Sequence, residues 1–161
     1  MLAAFDFRWW LLLHLFGVFG FLLAHGVSVT VAFRIRKERD RVKIKDLISL
    51  SGSSVRLMYV SLVLLLAGAF AMTFQLHLWG AGWIRLSLAL LIVTIIFMIA
   101  LASPYYKRVS EAVELRPSGV PRKSDEELEV ILKSPVPVIV AGVGFFTLFV
   151  ILYMMVFQKP A

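Results

Sequence analysis

His14 and His25 stand eleven residues apart inside Trp9–Phe33, a stretch free of Asp, Glu, Lys and Arg. At 100° per residue that spacing is 20° past three full rotations, so both imidazoles share one helix face, roughly 16 Å apart. An imidazole in an apolar helix ligates a metal or a haem, carries a proton, or hydrogen-bonds a neighbouring helix as a packing group. Gly17, Phe21, Ser28 and Ala32 lie on the same face. Such a stripe of small and polar residues should face protein rather than lipid. Haem b between facing helices needs an axial His or Met from each side. His14, His25 and His77 are the haem candidates, with Met98 and Met154 as alternative axial ligands. His77, near the outer end of the second span, would lie within roughly 6 Å of the depth of His14. Copper is the other cofactor reading, because Cu(I) accepts imidazole and thioether. The chain has three histidines and six methionines, and His14 and His25 would be the metal ligands. The third reading has no cofactor: each ring bonds a hydroxyl or carbonyl across the bundle and fixes packing.

Other chemistry has no residues to carry it. With no cysteines, disulfides, thiolate metal sites and cysteine nucleophiles are excluded. No charged residue sits in the middle of a span, where a driving-ion site would need one. There is no intramembrane Ser, His and carboxylate set and no nucleotide loop, so a non-enzymatic protein is expected. The glycines of Gly17-Val-Phe-Gly20 and Gly142-Val-Gly144 are helix-packing features, not phosphate cradles.

The elements that must position the histidines follow from composition. Of 161 residues, 60% are hydrophobic, well above the 45–50% of ordinary soluble domains. Four long apolar runs hold the excess, at about residues 9–33, 55–79, 84–103 and 136–157. The fold expected is all-α: one domain over residues 1–161, an integral membrane bundle of four transmembrane helices. The first span is too long for a signal-peptide core, and a basic run follows it. Inner stripes are expected at Ser61, Leu65, Gly68, Met72 and Gln75, at Ser87, Leu91, Thr94 and Met98, and at Gly144, Thr147, Ile151 and Met154.

Loops at 34–54 and 104–135 complete the chain. In the first, Ile44, Leu47 and Ile48 share a face that suits a surface helix. In the second, Pro104 should end or kink the third span. Two short helices should then flank a turn at Pro117–Pro121, the second opened by a Ser124…Glu127 capping box. The segments Arg34–Arg56 and Lys107–Lys133 hold fourteen of the seventeen Lys and Arg residues. That bias puts both loops in the cytoplasm and both termini outside. It also assigns the net charge of +7 to membrane orientation, with no nucleic-acid partner expected.

The residues His14-Leu-Phe-Gly17, Phe21, His25-Gly26-Val-Ser28 and Arg34-Ile-Arg-Lys-Glu-Arg-Asp40 carry a family likeness. Through them the chain resembles a group of uncharacterised bacterial four-span membrane proteins, distantly similar to the copper-resistance D (CopD) type. The resemblance implies a bacterial inner-membrane bundle with a histidine-bearing first helix and a metal or haem link. The expected role is a small accessory subunit of a membrane complex, or a holder of haem or metal through the first helix. The alternative is a protein related to transport of copper or another small solute. Besides the lipid bilayer, the expected partners are other membrane subunits or further copies of the chain.

Overall fold

A computed structural model describes residues 6–157. The leader residues 1–5 and the tail residues 158–161 lie outside the described residues. The element order is α1 (Phe7–Ile35), α2 (Arg41–Gln75), a 3-10 turn (Leu78–Gly80), α3 (Gly82–Val113), α4 (Asp125–Leu132) and α5 (Val136–Phe157). Four segments, built on α1, α2, α3 and α5, are long and apolar enough to cross a membrane. No strand occurs among the described residues.

The helices outrun the apolar runs that seed them, and Asp40 shows why at the first connection. Its carboxylate accepts from the Val42 amide at 2.9 Å and the Lys43 amide at 3.4 Å, an N-cap that starts α2 well before Val55. Only residues 36–40 therefore link α1 to α2. Ile44, expected on a membrane-surface helix, is instead completely buried against α3 and α4.

The third span corrects the expectation that its helix ends at Pro104. α3 continues through Pro104 to Val113, so the first of the two short helices expected there is the last part of α3. A proline inside a helix costs about 3 kcal/mol through a lost hydrogen bond and a ring clash. Beyond it, Tyr105, Val109, Ala112 and Val113 fall at helical spacing and are all buried. Burying one valine contributes about 1.5–3 kcal/mol, so Val109 and Val113 together offset the proline. The capping box forms as expected: Ser124 Oγ accepts from the Glu127 amide, and the glutamate accepts from the Ser124 amide. The turn before it closes through Gly119 in left-handed conformation and an antiparallel bridge from Leu115 to Pro121.

Two helix pairs make the bundle. α1 and α2 pack antiparallel along most of their length, while α3 packs on α5, and contact between the pairs is sparser. The first pair closes on glycine. A Cβ on Gly68 would stand 2.7 Å from the His14 amide nitrogen, and one on Gly17 would stand 2.6 Å from Leu65 Cα. Backbone approach this close gives dispersion contact that larger residues forbid, the main attraction between helices in lipid. In the second pair, Thr94 Oγ1 donates to Thr147 Oγ1 at 3.0 Å, buried between α3 and α5.

At the end that carries the longer connections, arginines tie the helices off. Arg41 Nη1 donates to Ala112 O at 2.6 Å, and its Nη2 donates to Lys123 O at 2.9 Å and to Asp125 Oδ1 at 2.6 Å. Arg36 Nη1 donates to Ser134 O at 2.6 Å. These guanidinium groups satisfy carbonyls at or beyond helix C-termini, which have no partner within their own helix. Behind them lies a core of Ile35, Ile44, Val109, Leu128 and Leu132.

Candidate ligand-binding site

His14 and His25 are both buried on the inner face of α1, as their spacing predicts, along with Gly17, Phe21 and Ala32. Their surroundings differ. His14 Nδ1–H donates to Leu65 O at 2.8 Å, across the α1–α2 interface. A carbonyl can only accept, so this bond places a hydrogen on Nδ1. The Nε2 of His14 is buried and has no protein partner.

His25 faces α5. A Cβ on Gly144 would stand 3.1 Å from His25 Nε2 and 3.2 Å from Cε1, so the imidazole occupies the notch that this glycine leaves open. Phe21 stacks one turn earlier, with ring centroids 6.3 Å apart, and Phe145 meets the imidazole edge-on at 5.3 Å. Met98 reaches the same notch from α3, its Cε 3.8 Å from that Cβ position.

Beside His25 a cavity of about 330 Å³ opens toward the arginine-tied end, walled by α1, α2, α3 and α5. Its polar lining includes Ser28 from α1, Ser51 from α2, and Tyr105 and Tyr106 from α3. Three of the lining residues carry a buried polar atom with no protein partner: His25 at Nε2, Ser28 at Oγ and Tyr105 at its hydroxyl. Most buried polar atoms in folded proteins are paired, so three residues with unpaired ones around one void mark it as a place for a polar guest. The lining contains no Asp, Glu, Lys or Arg, which suits an uncharged guest.

The other candidates lie elsewhere. His77 is exposed, in left-handed conformation between α2 and the 3-10 turn. Gly68 packs on the His14 backbone, and His77 comes nine residues later, roughly 13 Å farther along the chain direction. The structure therefore does not bring His77 to the level of His14. Met154 is buried on α5, ten residues beyond Gly144, or roughly 15 Å. Because α5 runs antiparallel to α1, Met154 is level with His14, while Met98 is the methionine that meets His25.

Haem does not fit at His25. An axial Nε2 must face open space for the iron and its macrocycle, and this one lies 3.1 Å from where a Cβ on Gly144 would stand, in the notch of α5. A single soft ion between His25 and Met98 makes no such demand on space. Among the described residues no group of three His, Cys, Asp or Glu is placed to hold a metal.

Sequence reasoning missed Tyr105, Tyr106 and Ser51. Tyr105 is seven residues after Met98, on the same helix face, so extending the Thr94–Met98 stripe past Pro104 would have found it. No family model, no curated protein and no solved structure matches this chain.

Proposed function

We propose that this chain is a non-enzymatic, multi-pass membrane protein that holds a small, uncharged polar ligand in the cavity beside His25. The observation that carries this reading is that His25, Ser28 and Tyr105, each with a buried polar atom that has no protein partner, line one cavity. His25, Ser28 and Tyr105 supply the polar side chains, and the Val-, Ala-, Ile- and Met-rich remainder supplies apolar contact. The asymmetry of its Lys and Arg residues supports an orientation with the cavity toward the cytoplasm, and the resemblance to bacterial four-span proteins supports a bacterial inner membrane. It serves there as an accessory component of a membrane assembly. The test is a thermal-shift screen of small neutral hydrogen-bonding solutes on the detergent-purified chain. A solute that raises the melting temperature of the wild type, but not of His25→Ala or Tyr105→Phe, supports the reading. A screen in which no solute separates wild type from both variants sinks it.

A second reading rests on Met98. Imidazole and thioether at one notch, with no charge nearby, are ligands that favour Cu(I). Copper handling would show as Cu(I) retention under reducing conditions, measured by competition with a chromogenic chelator, that is lost in both His25→Ala and Met98→Leu.

A further inference from the structure

On the opposite, outward face of the α1–α2 pair, a groove of about 720 Å³ runs toward the arginine-tied end. Gly26 forms its floor, and a Cβ there would meet nothing within 4 Å. Leu22, Leu23 and Leu50 give it apolar walls. Its mouth is charged, with Arg34 from α1, Lys43 and Asp46 from α2, and Glu38 from the link between them. Glu38 is committed to the backbone, accepting from the Arg39 amide at 2.9 Å and the Asp40 amide at 3.1 Å. Lys43 stands 3.9 Å from Asp40, a loose pair. Arg34 and Asp46 have no ion-pair partner among the described residues.

An apolar channel that ends in charges of both signs matches one kind of bilayer component. We propose that this groove holds a single phospholipid with a zwitterionic amine head group. One acyl chain lies over Gly26 between the leucine walls. Arg34 and Lys43 take the phosphate, since guanidinium and ammonium are its usual protein partners. Asp46 takes the ammonium. From Gly26 to Arg34 is eight residues, roughly 12 Å of rise, which carries the site from the acyl region to the head-group level. A purely basic mouth would favour anionic lipid. The unpaired carboxylate at Asp46 shifts the preference to a lipid that brings its own cation.

The test is native mass spectrometry of the full chain, delipidated in detergent and titrated with dioleoyl phosphatidylethanolamine or dioleoyl phosphatidylglycerol. Wild type is expected to form a saturable one-to-one adduct with the ethanolamine lipid, several-fold tighter than with the glycerol lipid. Asp46→Asn should abolish that preference, and Arg34→Ala with Lys43→Ala should weaken both lipids. Gly26→Leu places its Cβ where nothing lies within 4 Å and its side chain in the groove, so it should keep the wild-type melting temperature and lose the adduct. Equal or tighter binding of the glycerol lipid by wild type overturns the proposal. So does a saturable adduct that survives Gly26→Leu, or the absence of a saturable adduct in wild type.

Discussion

Gly144 lies against the imidazole of His25, so close that the smallest side chain at this position would press on the ring at 3.1 Å. A polar ring inside the bundle is thus accommodated by an absent side chain on the facing helix. Gly144→Leu must expel either the ring or the helix, and overpacking of this kind costs about 1–3 kcal/mol. The expected result is a lower melting temperature in detergent. His25→Ala in the same chain should restore part of the loss, which a double-mutant cycle would measure as coupling.

Glycines at the α1–α2 crossing should be less forgiving. At Gly17 and Gly68 the neighbouring atoms include the Leu65 and His14 backbones, which cannot rotate away. Gly17→Leu and Gly68→Leu are expected to prevent the pair from closing, read as loss of monodisperse protein on size exclusion. Gly142→Leu is the control, because a Cβ there meets nothing within 4 Å and the variant should behave as wild type.

Tyr105→Phe separates stability from binding. The Tyr105 hydroxyl is buried without a protein partner, and removing such a group is close to neutral or stabilising. The variant is expected to melt at or above the wild-type temperature and to lose stabilisation by the cavity ligand. A drop of several degrees without ligand would mean that the hydroxyl has a partner in the folded protein.

Arg41→Ala removes the donor to Ala112 O, Lys123 O and Asp125 in one step. The bond to Ala112 O is partly buried, and losing a charged donor there costs about 1.5–3 kcal/mol, while the exposed contacts to Lys123 O and Asp125 add less. Limited proteolysis of the 114–123 loop should accelerate in this variant. Arg41→Lys should not rescue it, since an ammonium lacks the fork that reaches several acceptors at once.

Glu38 predicts an acid-side weakening of the first connection. Its carboxylate accepts from the Asp40 and Arg39 amides, which holds it below the ordinary glutamate range. A group depressed in the folded state adds stability above its unfolded pKa and loses it as pH falls through the folded value. Hydrogen exchange at the Arg39 and Asp40 amides should therefore quicken as pH drops below the ordinary glutamate range, after correction for intrinsic rates. Glu38→Gln should exchange faster at neutral pH and show no such step.

How much of this was legible in the sequence depended on periodicity. The shared face of His14 and His25, the Thr94 and Thr147 stripes and the Ser124 capping box all rest on local spacing, and local geometry preserves them. The cavity did not follow, because it depends on the register between helices. That register is set by which glycine meets which backbone, as at Gly68 and His14, and no spacing within one helix encodes it. Reading Pro104 as a stop hid Tyr105 and Tyr106, since the stripe that outweighs the proline lies in a stretch whose charges made it look like loop. The basic run after α1 read as an orientation signal alone, yet Arg36 and Arg41 also close helix ends across more than seventy residues of chain.

The pairing of α1 with α2 has a consequence for biogenesis. Everything that seats these two helices together, from Gly17 to Gly68, has been synthesised once the chain reaches Gln75. A membrane hairpin is then complete before α3 emerges, consistent with chains folding from the N-terminus as they are made. The cavity beside His25 needs walls from α3 and α5 as well. The cavity is therefore complete only when the last helix inserts, and a truncated translation product would enter the bilayer without it.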